Sequence, residues 1–171
     1  MGDNFHLADR DGVRTPMQWT PDRNAGFSRA HPHQLYLPAN IDPEYHYEFV
    51  NVENQERNKS SLYWTIRRMI EVRQRSTAFA RGSIEFLQPA NRTVLAYVRR
   101  HEAEVILVVA NLSRFSQVAE LDLSAFAGCV PVELFGQIHF PEIKPTPATF
   151  TLGPHGFYWL GLKPGAAFAQ S

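Results

Sequence analysis

The residues best suited to chemistry lie near the start of the chain, in the run Asp9-Arg10-Asp11-Gly12. The guanidinium of Arg10 is planar and always charged, and its N–H donors can bridge a hydroxyl group and an acidic side chain. The run lacks the spaced third acidic ligand and the closing glutamate of a calcium loop, so it does not predict a metal site. Two roles remain for Asp9 and Arg10: contact with a polar ligand, or ion pairs that pin a long loop.

Other polar residues give weaker signals for chemistry. The 7 histidines show neither helical i,i+4 pairs nor cysteine partners, so we expect no metal and no cofactor. Glu85, Asp122 and Glu133 fall in predicted strands, where a position on the solvent face explains an acidic residue without catalysis. His155 lies in a Gly-Pro-His-Gly turn and is expected to hold that turn. Cys129, the single cysteine, is expected to be a small buried hydrophobe.

The composition excludes several classes of protein. The 17 basic residues balance 17 acidic residues, which leaves no net charge to attract nucleic acid or an anionic membrane, so neither partner is expected. The hydrophobic fraction of 44% indicates a chain that buries a core. Neither a secretory segment nor a long apolar run is present, which favours a cytoplasmic protein.

The elements that must position Asp9 and Arg10 change along the chain. Residues 1–57 have neither helical periodicity nor strand alternation and are rich in Asp, Asn, Pro and Gly, which predicts a long irregular segment. A helix is predicted from about residue 58 to residue 76, because apolar side chains recur there at helical spacing. Ser60 or Ser61 is expected to cap it. The apolar stripe consists of Leu62, Ile66, Met69, Ile70 and the stem of Arg73.

After residue 82 the pattern becomes that of short strands separated by turn residues. The predicted strands are Ile84–Leu87, Thr93–Arg99, Ala103–Asn111, Gln117–Leu123, Val130–Phe135, Ile138–Phe140, Ala148–Leu152 and Phe157–Leu162. About eight strands at this spacing favour an antiparallel sandwich or barrel. The run 105–109 is apolar on both faces and predicts a central strand, whereas 93–99 alternates. The predicted fold is therefore mainly β.

One segment carries a resemblance to a known family. The string ADRDGVRTPMQW at 8–19, followed by PDRNAGFS at 21–28, resembles a segment of the amylase-like glycoside hydrolases that act on short α-glucosides. Within that family, MGDN at 1–4 ahead of DRDG at 9–12 resembles the trehalose synthases more closely than the oligo-1,6-glucosidases. The resemblance covers about residues 1–162, and its further strings are PEYHY at 43–47, NVE at 51–53, VVANLSRF at 108–115, VELFG at 132–136 and LGPHGFYW at 152–159.

The resemblance implies the end segment of a (β/α)8 barrel followed by an antiparallel β-sandwich of about eight strands. Residues 1–57 would form the loop after the last barrel strand, and residues 58–79 the last barrel helix. Residues 80–162 would form the sandwich, and residues 163–171 a flexible tail or linker. A whole barrel needs about 250 residues, more than this chain has.

The resemblance also implies a reaction. Trehalose synthases interconvert maltose and trehalose by retaining glucosyl transfer, which needs a nucleophilic Asp and an acid/base Glu. In the family pattern these carboxylates precede residue 1, so we expect no catalytic residue in this chain and no turnover by the chain alone. Because barrel active sites are built from loops that follow the strands, Asp9 and Arg10 are expected to contact substrate, with Arg10 holding the released glucose. Arg14 and Gln18 are expected to be structural.

Two other functions remain open from the sequence: an autonomous carbohydrate-binding sandwich, or a fragment of a hydrolase similar to oligo-1,6-glucosidase. The loop aromatics could stack on sugar rings, but packing is favoured for most of them. These aromatics are Trp19, Phe27, Tyr36, Tyr45 and Tyr47. The partners implied by the resemblance are the rest of the catalytic barrel, maltose and trehalose, a maltose kinase joined through the β-domain, and further copies of the protein in a homo-oligomer.

Overall fold

The computed structural model describes residues 9–165, which fall into one unit up to Arg68 and a second unit from Met69. In the first unit, three short 3-10 helices precede helix α1, Val52–Arg57. Helix α2, Leu62–Arg75, begins in the first unit and ends in the second. The second unit further contains helix α3, Thr77–Arg81, seven strands and a 3-10 helix, Ser124–Phe126. The 3-10 helices of the first unit are Asp9–Val13, Arg23–Gly26 and Pro32–Gln34.

Helix α1 lies inside the segment that the sequence predicts to be irregular. Asn51 begins it, because its Oδ1 accepts the backbone N–H of Asn54 at 2.8 Å while its Nδ2 donates to the carbonyl of Tyr47 at 2.8 Å. With 6 residues, α1 is too short to show apolar periodicity, which explains why the pattern did not reveal it. The other described residues of this segment are 3-10 or irregular, as predicted.

The helix predicted from residue 58 is shorter than expected, since α2 covers Leu62–Arg75. Ser61 stands at its start, where its carbonyl accepts the backbone N–H of Thr65 at 3.1 Å. The Ser61 hydroxyl does not cap the helix but donates to the carbonyl of Gln55 at 2.6 Å, which ties α2 to the end of α1. The predicted apolar stripe is largely exposed, with relative exposures of 69% at Leu62, 45% at Ile66 and 49% at Ile70.

The second unit is built on a five-stranded sheet with the order β1-β2-β3-β7-β5 and a two-stranded sheet of β4 and β6. All paired strands are antiparallel. This confirms the predicted antiparallel β domain. The strands are β1 Ser83–Phe86, β2 Val94–His101, β3 Glu104–Asn111, β4 Gln117–Leu121, β5 Cys129–Glu133, β6 Ala148–Leu152 and β7 Phe157–Pro164.

The main core of the second unit joins side chains of both sheets. Strand β3 is the middle strand of the larger sheet, and it is buried on both faces as predicted. Leu107 and Val109 belong to the main core, whereas Ile106 and Val108 pack with Ala78 of α3 in a second cluster. The predicted alternation of β2 is confirmed by the burial of Val94, Ala96 and Val98. Cys129 is half-buried against the main core.

The predicted strand Ile138–Phe140 is wrong, and residues 9–165 contain seven strands. Only His139 forms an isolated bridge, with Val132. Gln137 has a left-handed φ of 55°, and the segment keeps two backbone hydrogen bonds to β5, from the N–H of Glu133 to the carbonyl of Ile138 and from the N–H of Phe140 to the carbonyl of Pro131, both at 2.8 Å. Pro131 has no N–H to return the second bond, so no continuous ladder forms. Strand β5 also ends at Glu133, before the predicted end at residue 135. Strand β7 continues to Pro164, into the first residues of the predicted tail.

Candidate functional site

The turn predicted to face substrate is the 3-10 helix Asp9–Val13. Asp9 is its first residue, and Arg10 follows with an exposed side chain. The backbone N–H of Arg14 donates to the carbonyl of Asp11 at 3.4 Å and closes the turn. Gly12 is buried, so the turn is packed at that point. The structure therefore brings Asp9 and Arg10 into one short turn, and their contact with substrate remains a prediction.

Asp11 is the electrostatic centre of this turn. Its carboxylate forms an ion pair with Arg14, with 3.7 Å between Oδ1 and a guanidinium nitrogen, and it accepts the hydroxyl of Tyr36 at 3.0 Å. The hydrogen bond to Asp11, and then the negative charge of Asp11, raise the pKa of Tyr36 above its ordinary value of 10.0, while Arg14 opposes the shift. The pairing of Arg14 agrees with its predicted structural role. The sequence analysis named Tyr36 only as a loop aromatic, and no sequence signal predicted its contact with Asp11, 25 residues away.

Gln18 holds the segment that follows the turn. Its Nε2 donates to the carbonyl of Tyr45 at 3.0 Å and to the carbonyl of Val50. The carbonyl of Gln18 accepts the backbone N–H of Val52 at 2.9 Å, at the start of α1. Since these are all backbone groups of a neighbouring loop, Gln18 is a structural residue, as the sequence analysis expected.

A left-handed segment follows at Asn24, Ala25 and Gly26, whose backbone φ angles are 56°, 58° and 67°. The carbonyl of Ala25 accepts the backbone N–H groups of both Trp19 and Thr20, at 2.9 and 3.1 Å. Asn24 and Ala25 are buried, and the amide of Asn24 donates to two further carbonyls of the loop. Asparagine and glycine tolerate left-handed backbone angles, so their presence in this run is the signal that could have predicted the left-handed segment.

The loop aromatics differ in their surroundings. Phe27 and Tyr36 line a hollow of about 170 Å³ together with Thr15, Pro16, Leu35 and Leu37. Tyr36 is 86% exposed, so its ring is not a packing element of the first unit. Tyr47, in contrast, stacks on His46 with 4.8 Å between ring centroids. The hollow is apolar, which suits an apolar side chain better than a sugar ring that needs hydrogen bonds.

The acidic residues of the second unit have structural tasks. The carboxylate of Glu133 accepts the backbone N–H of Phe135 at 3.0 Å and that of Gly136, so it closes a turn rather than facing solvent from a strand. Asp122 lies just beyond β4 and accepts the N–H of Ser124 at 3.0 Å. This bond, followed by one from the Ser124 hydroxyl, lowers the pKa of Asp122 below 3.8.

The structure also bears on the predicted role of His155, on metal binding and on membrane spans. His155 has a left-handed φ of 52°, and its backbone N–H donates to the carbonyl of Ser113 at 3.0 Å, so it has the turn role that was expected. Within the part of the chain that the structure describes, no three His, Cys, Asp or Glu side chains come together to hold a metal ion. Among residues 9–165 no helix is both long enough and apolar enough to cross a bilayer.

Comparison with known families gives the class of protein. Residues 1–82 match the family described as "Alpha amylase, catalytic domain", and residues 84–159 match "Maltogenic Amylase, C-terminal domain". The boundary between the two matches falls where α3 ends and β1 begins. The chain therefore belongs to the α-amylase family of glycoside hydrolases.

Within this family the chain is similar to trehalose synthases. It is 54% identical over 167 residues to the trehalose synthase of Pimelobacter sp. (strain R48), covering 95% of this chain and 29% of that protein. It is 52% identical over 165 residues to the trehalose synthase/amylase TreS of Mycobacterium tuberculosis, covering 95% of this chain and 28% of that protein. The chain thus spans less than a third of the length of these relatives, and the predicted resemblance is confirmed.

A solved structure shows the same arrangement of elements. The crystal structure of isomaltulose synthase (PalI) from Klebsiella sp. LX3 superposes with a TM-score of 0.70 and 28% sequence identity. The match covers 94% of this chain and 27% of that chain. The fold described above is therefore that of a segment of a larger amylase-family enzyme.

Proposed function

We propose that the whole protein interconverts maltose and trehalose by retaining glucosyl transfer. The observation that carries this proposal is the 54% identity over 95% of the chain to a protein described as a trehalose synthase. In such a reaction a carboxylate takes the glucosyl unit, and the released glucose turns and is re-glycosylated at its anomeric hydroxyl. The site must exclude water while the glucose turns, since water would otherwise capture the glucosyl unit.

In this proposal residues 1–57 form the loop after the last barrel strand and residues 58–79 the last barrel helix. Residues 80–162 form the closing sandwich, and residues 163–171 a tail or linker. The boundary between the two family matches, at residues 82 and 84, supports this division. The exposed apolar stripe at Leu62, Ile66 and Ile70 supports a role for α2 in packing against the rest of the barrel.

Arg10 and Asp9 are proposed to contact substrate from the turn Asp9–Val13. Arg10 is exposed, and its planar donors suit a pair of sugar hydroxyls or a hydroxyl and a carboxylate. Its task would be to keep the released glucose in place while it turns. The nucleophile and the acid/base are proposed to lie in the rest of the barrel, outside this chain.

The further partners follow from the same proposal. The sandwich is proposed to carry contacts with a maltose kinase or with further copies of the protein. A cytoplasmic location is proposed, because a chain with a single cysteine forms no internal disulfide of the kind that stabilises secreted proteins. A hydrolase similar to oligo-1,6-glucosidase is the second candidate; assays of the whole protein on maltose and isomaltose separate the two, since only the first proposal gives trehalose from maltose.

The residue proposal is tested by Arg10→Ala in the whole protein. Loss of the grip on glucose should raise the share of maltose released as free glucose, measured by proton NMR. Arg10→Lys should restore the wild-type share only in part, because lysine keeps the charge but lacks the planar fork. Arg29→Ala is the matched control, since Arg29 is also an exposed cation of the first unit. Equal glucose shares in Arg10→Ala and Arg29→Ala would show that Arg10 does not hold the sugar.

A further inference from the structure

The carboxylate of Asp11 is held from two directions. Arg14, on the same turn, lies 3.7 Å away and is a weak, exposed partner with a side chain that is 53% exposed. The Tyr36 hydroxyl, from a segment 25 residues later, donates to the other carboxylate oxygen at 3.0 Å. A phenol that donates to a carboxylate forms a charge-assisted bond, which is stronger than a neutral one. Tyr36 is therefore the long-range anchor of this turn.

Tyr36 is itself placed by a short turn. The 3-10 helix Pro32–Gln34 ends directly before Leu35, whose backbone N–H donates to the carbonyl of Pro32 at 3.2 Å. The side chain of Gln34 closes this turn by accepting the backbone N–H of His31 at 3.2 Å. The tyrosine thus leaves a fixed turn and reaches across to Asp11.

Tyr36 can act through its ring or through its hydroxyl group. It lines the apolar hollow beside Phe27 and Leu35. Its defined polar contact is the hydroxyl bond to Asp11. Phenylalanine would fill the edge of the apolar hollow equally well but could not make this bond.

We propose that Tyr36 is a positioning residue: its hydroxyl holds Asp11, and with it the turn Asp9–Val13, from which Arg10 would reach a bound sugar. Tyr36 acts through Asp11 and does not touch the sugar itself. The inference rests on the proposed function, since it gives Arg10 a sugar to hold. The raised pKa of Tyr36 agrees with it, because a phenol that stays protonated remains a donor to Asp11.

The contact itself is tested on the 171-residue chain by NMR of tyrosines labelled with ¹³C at the ring carbon that carries the hydroxyl, with Tyr36→Phe used to assign the signal. In the unmodified chain Tyr36 should titrate above its ordinary pKa of 10.0 because of the hydrogen bond to Asp11 and its charge, against the opposing charge of Arg14. In Asp11→Asn the pKa should move down towards the ordinary value. An unchanged titration in Asp11→Asn would overturn the proposal.

The role is tested on the whole protein with Tyr36→Phe, by measuring free glucose and trehalose formed from maltose. We expect the glucose share to rise about two- to threefold, as suits the loss of one exposed hydrogen bond to a charged group. Tyr158→Phe is the matched control, because the Tyr158 hydroxyl donates to the carbonyl of Thr151 at 3.2 Å in the second unit. Its glucose share should equal that of the unmodified protein.

The outcomes separate the two proposals. If the unmodified protein makes trehalose and Tyr36→Phe leaves the glucose share unchanged, the positioning role is overturned and the proposed function stands. If the unmodified protein makes no trehalose from maltose, the proposed function itself fails. A rise in Tyr158→Phe equal to that in Tyr36→Phe would also overturn the positioning role, since a general loss of stability would then explain both.

Discussion

Asn111, at the end of β3, ties three segments of the second unit together. Its side chain is 2% exposed. The amide Nδ2 donates to the carbonyl of Phe115 at 2.7 Å and to the carbonyl of Gly153 at 2.8 Å. The amide oxygen accepts the backbone N–H of Ser113 at 2.8 Å. The β3–β4 connection and the turn before β7 therefore share one buried side chain.

Replacement of Asn111 by alanine removes these three hydrogen bonds, which join the backbone of Ser113, Phe115 and Gly153 to one buried side chain. At about 1 kcal/mol for each bond, we expect the free energy of unfolding to fall by about 3 kcal/mol. Asn111→Asp keeps the shape but turns the two donors into an oxygen that faces two carbonyl oxygens. Burial without donors should raise the pKa of the new carboxyl group in the folded state.

The sign of the pH dependence follows from that raised pKa. Below about pH 4, the ordinary pKa of an unfolded aspartate, the carboxyl is neutral in both states and the ionisation penalty is absent. As the pH rises above this value, the unfolded state ionises first, so Asn111→Asp should lose stability relative to the unmodified chain.

Urea unfolding followed by tryptophan fluorescence and circular dichroism measures both effects. Gln74→Ala is the control, because Gln74 is an exposed residue of α2, and we expect it to change the free energy of unfolding by less than about 0.5 kcal/mol. The reasoning would be refuted if Asn111→Ala were as stable as Gln74→Ala, or if Asn111→Asp were least stable at the lowest pH.

Three further predictions concern other parts of the structure. Gly26→Ala should destabilise the left-handed segment by about 1–3 kcal/mol, because Gly26 has a φ of 67° and an added Cβ would lie 2.4 Å from Thr20 Oγ1. Faster hydrogen exchange around residues 19–26 would show this, and unchanged exchange would contradict it. Leu160→Ala should cost about 2–5 kcal/mol in urea unfolding, because Leu160 has 0% exposure in the main core; a loss below about 1 kcal/mol would show that the core closes around the gap. Asp122→Asn should lose the full stability difference above the unfolded pKa of about 4, and this difference should decline as the pH falls from there through the lowered folded pKa of Asp122; a difference that stays constant down to pH 2 would contradict this.

Much of the second unit could be predicted from the sequence because its strands carry local signals. The alternation of residues 93–99 predicted which side chains of β2 enter the core, and the two apolar faces of residues 105–109 predicted the central position of β3. Both signals arise because successive side chains of a strand point to opposite faces. The string at 8–19 likewise identified the family, while the 3-10 helix that carries Asp9 and Arg10 was seen only in the structure.

Element ends were decided by contacts outside the element. Asn51 begins α1 with its own amide, although no apolar period marks so short a helix. The run Ile138–Phe140 has the composition of a strand, but the left-handed Gln137 and the missing N–H of Pro131 in β5 reduce its pairing to one bridge. Ser61 could cap α2 by its type, yet its hydroxyl finds the carbonyl of Gln55.

The sequence by itself determined the family and the mainly β architecture, because motifs and strand alternation are properties of residues that are neighbours in sequence. The anchors of that architecture were decided only by the tertiary structure. Tyr36 meets Asp11 across 25 residues, and Asn111 meets Gly153 across 42 residues. Periodicity and propensity describe a residue and its neighbours in sequence, whereas these hydrogen bonds depend on the path of the whole chain between the partners, which is set by packing.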